Sequence, residues 1–492
     1  MSGTTLDRGE LSTLETAFAA LRGRVSERAA GAETARRVVY AGTAAYAALF
    51  VFAAVVHFMV FKTARPDLGN MVQAIWNTAH GHFLETTTLT GHQRSRLAFH
   101  VDPFLLLLVP LFRIWSNPLL LPVLQALAVA SGALPVFWLA RKHLGSDRAG
   151  AHFAFAYLLY PATQFNAFTI TSSFHAVAIA VPLVLFAIWF LDEGRLVAFS
   201  LVALLACSTK EEIPLALGCV GIWYAVRTGR RLFGLSVFAI GLSLTLGDFL
   251  YVIPHFSPSG VNPFAGRYGE VGATPGGMAH TLVSHPTAFV HAIATGHKAL
   301  YLVLLLVPFL GLWLLEPLLF LGAVPDLAIN LLSTKADQTS IPFHWTAGIV
   351  PFVVAASIFG AARFRAHAAR LSLYVLVATA SVAIYSPIYF LKSDVESLSA
   401  PVTAAKAHAL SLVPAGARVA ASNQLGGHLS ERRYIYTFPE LGKARWVVVD
   451  INDPTYTDTA AFRRYVRKIE ANPAWATLYS EDGVAVLRRS GS

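Results

Sequence analysis

The chain has 492 residues, 55% of them hydrophobic and 13% charged, with a mean hydropathy of +0.55. Soluble domains carry about 25% charged residues. Half that density over this length excludes a soluble enzyme, a disordered chain and a fibrous protein, and leaves a polytopic membrane protein. The 38 Lys and Arg against 28 Asp and Glu give a net +10. These charges sit at the edges of apolar runs, in the N-terminal tail and in the C-terminal region, with no basic stripe interleaved with aromatics, so nucleic acid is not an expected partner. Cys207 and Cys219 both lie inside apolar runs and provide no disulfide framework or zinc spacing.

Residues 1–37 are polar and Arg-rich and precede the first long apolar run, 38–61. That run is too long and too far along the chain for a cleaved signal peptide, so it reads as an uncleaved first span behind a cytoplasmic tail. Leu11, Leu14, Phe18 and Leu21 recur at helical spacing. The pattern fits an amphipathic surface helix over 10–29 or a solvated tail.

Further apolar runs lie at 118–140, 151–170, 174–191, 196–208, 212–226, 232–254, 298–315, 317–332, 344–361 and 371–391. Positive clusters at Arg141/Lys142/Arg148, Arg195, Arg227/Arg230/Arg231 and Arg363/Arg365/Arg370 alternate with connections poor in positive charge, the long 255–296 loop among them. Positive charge stays inside. The alternation therefore predicts about eleven crossings, with the N-terminus cytoplasmic and the C-terminal region outside. The stretch 103–116 is apolar but short, and reads as half-inserted or interfacial, because a crossing there would invert every later loop.

The ionisable residues that need explaining gather in the outer connections. The first outer loop, 62–102, opens with Arg65-Pro66-Asp67-Leu68-Gly69-Asn70 and closes with His100-Val101-Asp102-Pro103. Between them, residues 71–82 suit a short helix along the membrane surface. Asp67 stands just past the first span, as a general base or metal ligand or as the N-cap of that helix, the preferred local reading. In the turn Ser208-Thr209-Lys210-Glu211-Glu212, three charges between two apolar runs are costly unless paired or functional. Lys210 suits a phosphate as a point charge, with Glu211 or Glu212 holding it or taking a proton; the plainer alternative is a solvated turn with a Lys–Glu pair. His100, His175 and His344 are each ordinary interface residues. Together with Asp102 and the glutamates they line one candidate polar pocket and make a divalent metal a candidate ligand. Arg267 and Tyr268 in the 255–296 loop suit an anionic group or a solvated loop. No Walker loop, GxSxG or HExxH is present, and the glycine-rich 272–277 stretch lacks a following lysine, which removes cytosolic nucleotide chemistry.

Past residue 391 the composition turns soluble. Short runs at 417–422, 433–438, 445–450 and 483–489 read as strands, and Phe462, Tyr465, Val466 and Ile469 mark a helix between the last two. Residues 392–492 are therefore expected to form a small extracytoplasmic α/β domain. The fold class is an α-helical polytopic membrane protein of about 11–13 membrane helices carrying that domain. No internal repeat is visible, which counts against a transporter built from duplicated halves.

Several of these residues form a recognisable set. Asp67-Leu68-Gly69 with Gln73 and Trp76-Asn77, His100-x-x-Pro103, Tyr160-Pro161, Phe174-His175, Lys210-Glu211, and His344 followed by Pro351-Phe352 resemble the domain of unknown function 2079 family of predicted membrane proteins. So do Val413-Pro414-x-Gly416, Ser422-Asn423 and His428-Leu429-Ser430-x-Arg432-Arg433, and the resemblance covers nearly the whole chain after residue 38. Two departures are Pro66 before Asp67 and Asp102 in place of the usual Ser.

That family's layout is similar to the GT-C glycosyltransferases, multi-pass enzymes using polyprenyl-phosphate sugars. The resemblance implies a transferase on the outer face of the cell membrane, with membrane lipid and an envelope glycan, lipid or protein acceptor as partners. It implies Asp67 as base and Lys210 as the phosphate contact; Glu211, Glu212 and Asp102 are the substitute carboxylates if Asp67 is only a cap, and Arg267 is the further candidate for the phosphate. The alternatives are a transporter or lipid flippase, or a non-catalytic envelope-assembly protein.

Overall fold

The computed structural model describes residues 8–169 and 173–491, and for residues 8–30 only the backbone path. Helix α1, Arg8–Met59, runs unbroken through the basic tail and the first apolar run. The side chains that would make an amphipathic face over 10–29 lie outside the described residues. Four helical stretches, Gly31–Met59, Leu120–Leu144, Arg231–Phe256 and His344–Ser381, are each long and apolar enough to cross a bilayer. A bent pair, Thr287–Ile293 with Gly296–Phe309, adds a fifth candidate. Shorter apolar helices pack among them, notably Ala176–Asp192, Leu196–Cys207, Ile213–Thr228 and Pro317–Leu332. Pro103–Ile114 spans only 12 residues, about 18 Å at 1.5 Å per residue, and lies against helix α2, Asn70–Ala79.

The stretch 344–381 is a hairpin. Its chain reverses at Ala362–His367, where Phe364 leaves helical geometry. At that reversal the Arg365 guanidinium covers Gly145. At the other end Asn166 donates to Thr346, and Ile384 and Tyr385 share a cavity wall with Phe165. Val350–Ala361 thus descends to the reversal and Ala368–Ser381 returns. The basic turns meet at this same end. Lys142 bonds Asp192 and Glu193, each at 2.7 Å, and Arg227 lies over Trp223 and Phe359.

Ile213–Thr228 and Arg231–Gly247 meet along a seam of small residues. Gly218 and Gly221 face Gly234, Val237 and Phe238, and Gly241 abuts the Pro214 carbonyl, so a Cβ at Gly221, Gly234 or Gly241 would strike backbone and one at Gly218 would press on Phe238 at 3.3 Å. Apolar helices in lipid gain little from burial and associate by such close van der Waals contact. The seam brings Thr245 beneath the 208–212 turn, where its hydroxyl donates to the Glu211 carbonyl at 2.9 Å.

The first outer loop holds a two-stranded hairpin, β1 Glu85–Thr87 and β2 Gln93–Ser95. The C-terminal unit comprises β3 Val419–Ala421, β4 Ile435–Thr437, β5 Trp446–Asp450, β6 Trp475–Glu481 and β7 Val484–Arg489, in one five-stranded sheet of order β4-β3-β5-β7-β6. Strands β4, β3 and β5 are parallel, and β7 and β6 close the other edge antiparallel. Strand side chains alternate in face. Val448 and Val486 therefore meet helices Pro401–Ser411 and Asn423–His428, while Val447 and Val449 meet Phe462, Val466 and Ile469 of helix Thr459–Glu470. The four runs that read as strands all pair, whereas β6 lay hidden in a stretch with an exposed, mixed face.

Candidate functional site

Asp67 lies in a five-residue π-helical turn, Arg65–Gly69, between α1 and α2. It caps no helix: the turn is preceded by Ala64, α2 by Gly69, and neither end receives a side-chain hydrogen bond. The N-cap reading is therefore corrected; the carboxylate points instead toward His175, with Oδ1 3.7 Å from Nε2. Its side chain keeps 38% of its surface accessible, ringed by protein but open to solvent. The protein packed around it limits its hydration and raises its pKa to about 6, against the opposing pull of Arg96, Lys335 and His100.

His175 stacks on His344 with ring centroids 3.4 Å apart, and His344 leans on Trp345 at 4.5 Å. Burial holds His175 well below the ordinary imidazole pKa, with the nearby cations Arg96 and Lys210 adding to it. His175 Nε2 and His344 Nδ1 are buried without a hydrogen-bond partner. The pair does not suit a metal. Lone pairs lie in the ring planes, and planes 24° from parallel at this spacing cannot both aim at one ion. Among the described residues no group of three His, Cys, Asp or Glu is arranged to hold a metal ion.

Trp345 is the floor of a cationic pocket. Lys210 Nζ lies 4.7 Å from its ring centroid, Arg267 Cζ 5.6 Å and Lys335 Nζ 6.0 Å. The Arg267 guanidinium also stacks over Phe264 at 4.1 Å, and no carboxylate among the described residues lies within ion-pair distance of it. Lys210, Arg267 and Trp345 open into a cavity of about 320 Å³ whose remaining lining is partly polar, with Glu211, Glu212, His100 and Gln338, and mostly apolar, with Leu250, Met278 and Ile329 among it. Lys210 is paired with Glu212 at 2.6 Å. Burial alone would lower the Lys210 pKa, but the carboxylates of Glu212 and Glu211 raise it instead.

Glu211 is fully engaged. His100 Nδ1 lies 2.9 Å from one oxygen and the Val101 amide donates to the other at 3.0 Å. Burial opposes its ionisation, yet His100 and Lys210 hold its pKa below the usual range. Asp102 faces away from the pocket, buried against Arg96 at 2.6–3.0 Å, while Arg96 also donates to Asn70. Of the residues singled out in sequence, Lys210, Glu211, Glu212, His100 and Arg267 share the cavity. Asp67, His175 and His344 form an adjoining cluster joined to it through Trp345. Sequence reading missed Trp345, Phe264 and Arg96, because aromatics and arginines at loop edges look like ordinary interface residues. It also passed over Asp326, whose carboxylate crowds Gly348 beside this floor, although an acid inside an apolar run was a visible signal.

The chain belongs to the family described as predicted membrane protein (DUF2079), whose model matches residues 58–486. It is a membrane protein, mostly helical, with a small sheet domain at its C-terminus. A search of curated proteins finds no match. Among solved structures, ArnT from Cupriavidus metallidurans in the apo state is similar at a TM-score of 0.50 and 13% identity, over 91% of this chain and 98% of that one. The same protein bound to undecaprenyl phosphate is similar at 0.48 and 13%, over 90% and 98%. At this identity the likeness is one of fold.

Proposed function

We propose that this protein is a GT-C-like membrane glycosyltransferase that moves a sugar from a polyprenyl-phosphate donor to an envelope acceptor on the outer face. The observation that carries the reading is geometric: Asp67, His175 and His344 form one cluster joined through Trp345 to a largely apolar cavity into which Lys210 and Arg267 open. Such a cavity suits an amphiphile with an anionic head: Lys210 and Arg267 meet the phosphate and the apolar wall takes the chain. The fold shared with apo ArnT supports the same kind. The end with the basic turns is opposite the site, which favours an outward-facing site and a cytoplasmic N-terminus.

The step balances without a further reactant. The acceptor hydroxyl gives its proton to Asp67 as its oxygen bonds the anomeric carbon. The anomeric carbon–phosphate oxygen bond breaks with its electron pair leaving on phosphate, which Lys210 and Arg267 stabilise. An acceptor oxygen at hydrogen-bond distance from both Asp67 and His175 fits their 3.7 Å separation. Glu211 holds His100 and the loop end, and Glu212 sets the charge of Lys210. The products are the glycosylated acceptor, polyprenyl phosphate and a proton.

The test uses purified protein in lipid with radiolabelled polyprenyl-phosphate hexoses. Wild type is expected to consume a donor, and Asp67→Asn to abolish consumption while remaining folded. Failure to consume any donor, with acceptor lipids and glycans present, would overturn the reading.

A further inference from the structure

The turn that carries Asp67 is held as much by the C-terminal domain as by the membrane helices. Arg65 opens the turn and is 1% exposed. Its guanidinium donates to the Ile435 carbonyl at 2.8 Å and to the Thr87 carbonyl of strand β1, Glu85–Thr87. Its backbone amide donates to Asn423 Oδ1 at 3.1 Å. Gln73, in the helix that follows the turn, donates to the Arg433 carbonyl at 2.8 Å and to Thr87 Oγ1 at 2.9 Å.

Steric fit closes the same joint. A Cβ on Gly426 would stand 2.8 Å from Arg65 Cγ, and one on Gly427 2.8 Å from Thr63 Oγ1. A Cβ on Gly69 would collide with the Ser430 hydroxyl. His428 wedges its half-buried ring between Phe58 and Phe61, with centroids at 4.0 and 4.5 Å. Helix Asn423–His428 thus touches both ends of a turn whose middle residue is the proposed base. A turn only five residues long has few hydrogen bonds of its own with which to fix a side chain.

We propose that the C-terminal domain positions Asp67, acting through Asn423, Gly426, Gly427 and Ser430, so that these residues set turnover without touching substrate. The inference rests on the transferase reading above. It makes the domain a working part of the active centre rather than a separate binding module.

Asn423→Ala removes one acceptor without adding bulk, and Asn423→Asp keeps the oxygen. Asn423→Ala and Gly427→Ala are expected to lower kcat about tenfold or more with donor KM within about twofold, since misplacing a reacting group by about 1 Å has such an effect. Asn423→Asp restores the rate. The acid limb of the pH profile moves in Asn423→Ala, because Asp67 shifts relative to His175, Arg96, Lys335 and His100. Amide hydrogen exchange over 62–70 rises in the same variant. Tyr465→Ser, on an exposed face of the same domain, changes none of these readouts.

Unchanged kcat per folded molecule in Asn423→Ala, or unchanged exchange over 62–70, would overturn the inference. If wild type consumes no donor, the transferase reading fails by itself, and exchange alone still decides whether the domain positions the turn.

Discussion

The imidazole rings of His175 and His344 stack at 3.4 Å between centroids, and through this contact the Asp67 turn is joined to the cationic floor at Trp345. His175 precedes helix Ala176–Asp192 and His344 precedes Val350–Ala361, so two separate helices meet at the stack. His344→Phe preserves a flat ring in the stack and is expected to keep kcat within about threefold. His344→Ala removes the support behind His175 and lowers kcat about tenfold or more. Equal rates for the two variants would show that the ring contact does not orient His175.

The pH dependence follows from the environment of Asp67. A base must be ionised to accept the acceptor's proton. The protein packed around Asp67 raises its pKa to about 6, so the protonated, inactive form dominates below that value and the rate climbs as pH rises through it. An ordinary exposed carboxylate would place the climb near pH 4. The check is kcat/KM for a labelled donor from pH 4 to 8. A limb near 4, or a limb near 6 that survives in an active Asp67→Glu variant with an unshifted midpoint, would detach it from this residue.

Much of this site was legible as residue types at loop positions and little of it as geometry. The Lys210–Glu212 turn stood out because charges between apolar runs need a reason, and the 446–450 strand because Val447, Val448 and Val449 sit in a β-branched run. Asp67 read locally as a cap because an acid just before a helical run usually caps it. In the structure Asp67 is the middle residue of a π-turn, and no side chain caps that turn or the helix after it. The contact between Arg65 and Ile435 joins positions 370 residues apart, and no periodicity within either segment carries such a pairing. Hairpin β1–β2, with β2 at Gln93–Ser95, is equally silent, because its strands are three polar residues each.

The glycine seam between Ile213–Thr228 and Arg231–Gly247 gives a prediction far from the chemistry. Gly221→Val puts a branched side chain where a single Cβ already meets the Gly234 carbonyl and Val237. The helices must part, and Thr245 then loses the Glu211 carbonyl above it. Overpacking of this kind costs about 1–3 kcal/mol. The expected result is a lower melting temperature together with weaker donor binding, read as a higher KM, because the 208–212 turn loosens. A variant with lowered stability and unchanged KM would show that the seam supports the fold alone.

Lys210 and Glu212 are buried together at 2.6 Å, with side-chain exposures of 11% and 7%, so removing either partner has two separable effects. Lys210→Ala strands Glu212 and is expected to destabilise the protein by about 3–5 kcal/mol, the usual result of breaking a buried pair. Adding Glu212→Gln removes the stranded charge and returns most of that stability. Activity behaves differently, because Lys210 is the cation nearest the Trp345 ring and both variants leave only the more distant Arg267 and Lys335 to receive the phosphate. The double variant is therefore expected to be folded and at least about a hundredfold slower than wild type. Thermal unfolding in detergent and donor turnover, measured on the same preparations, separate the two effects. If the double variant recovers activity along with stability, Lys210 serves only to neutralise Glu212, and Arg267 becomes the phosphate contact to test next.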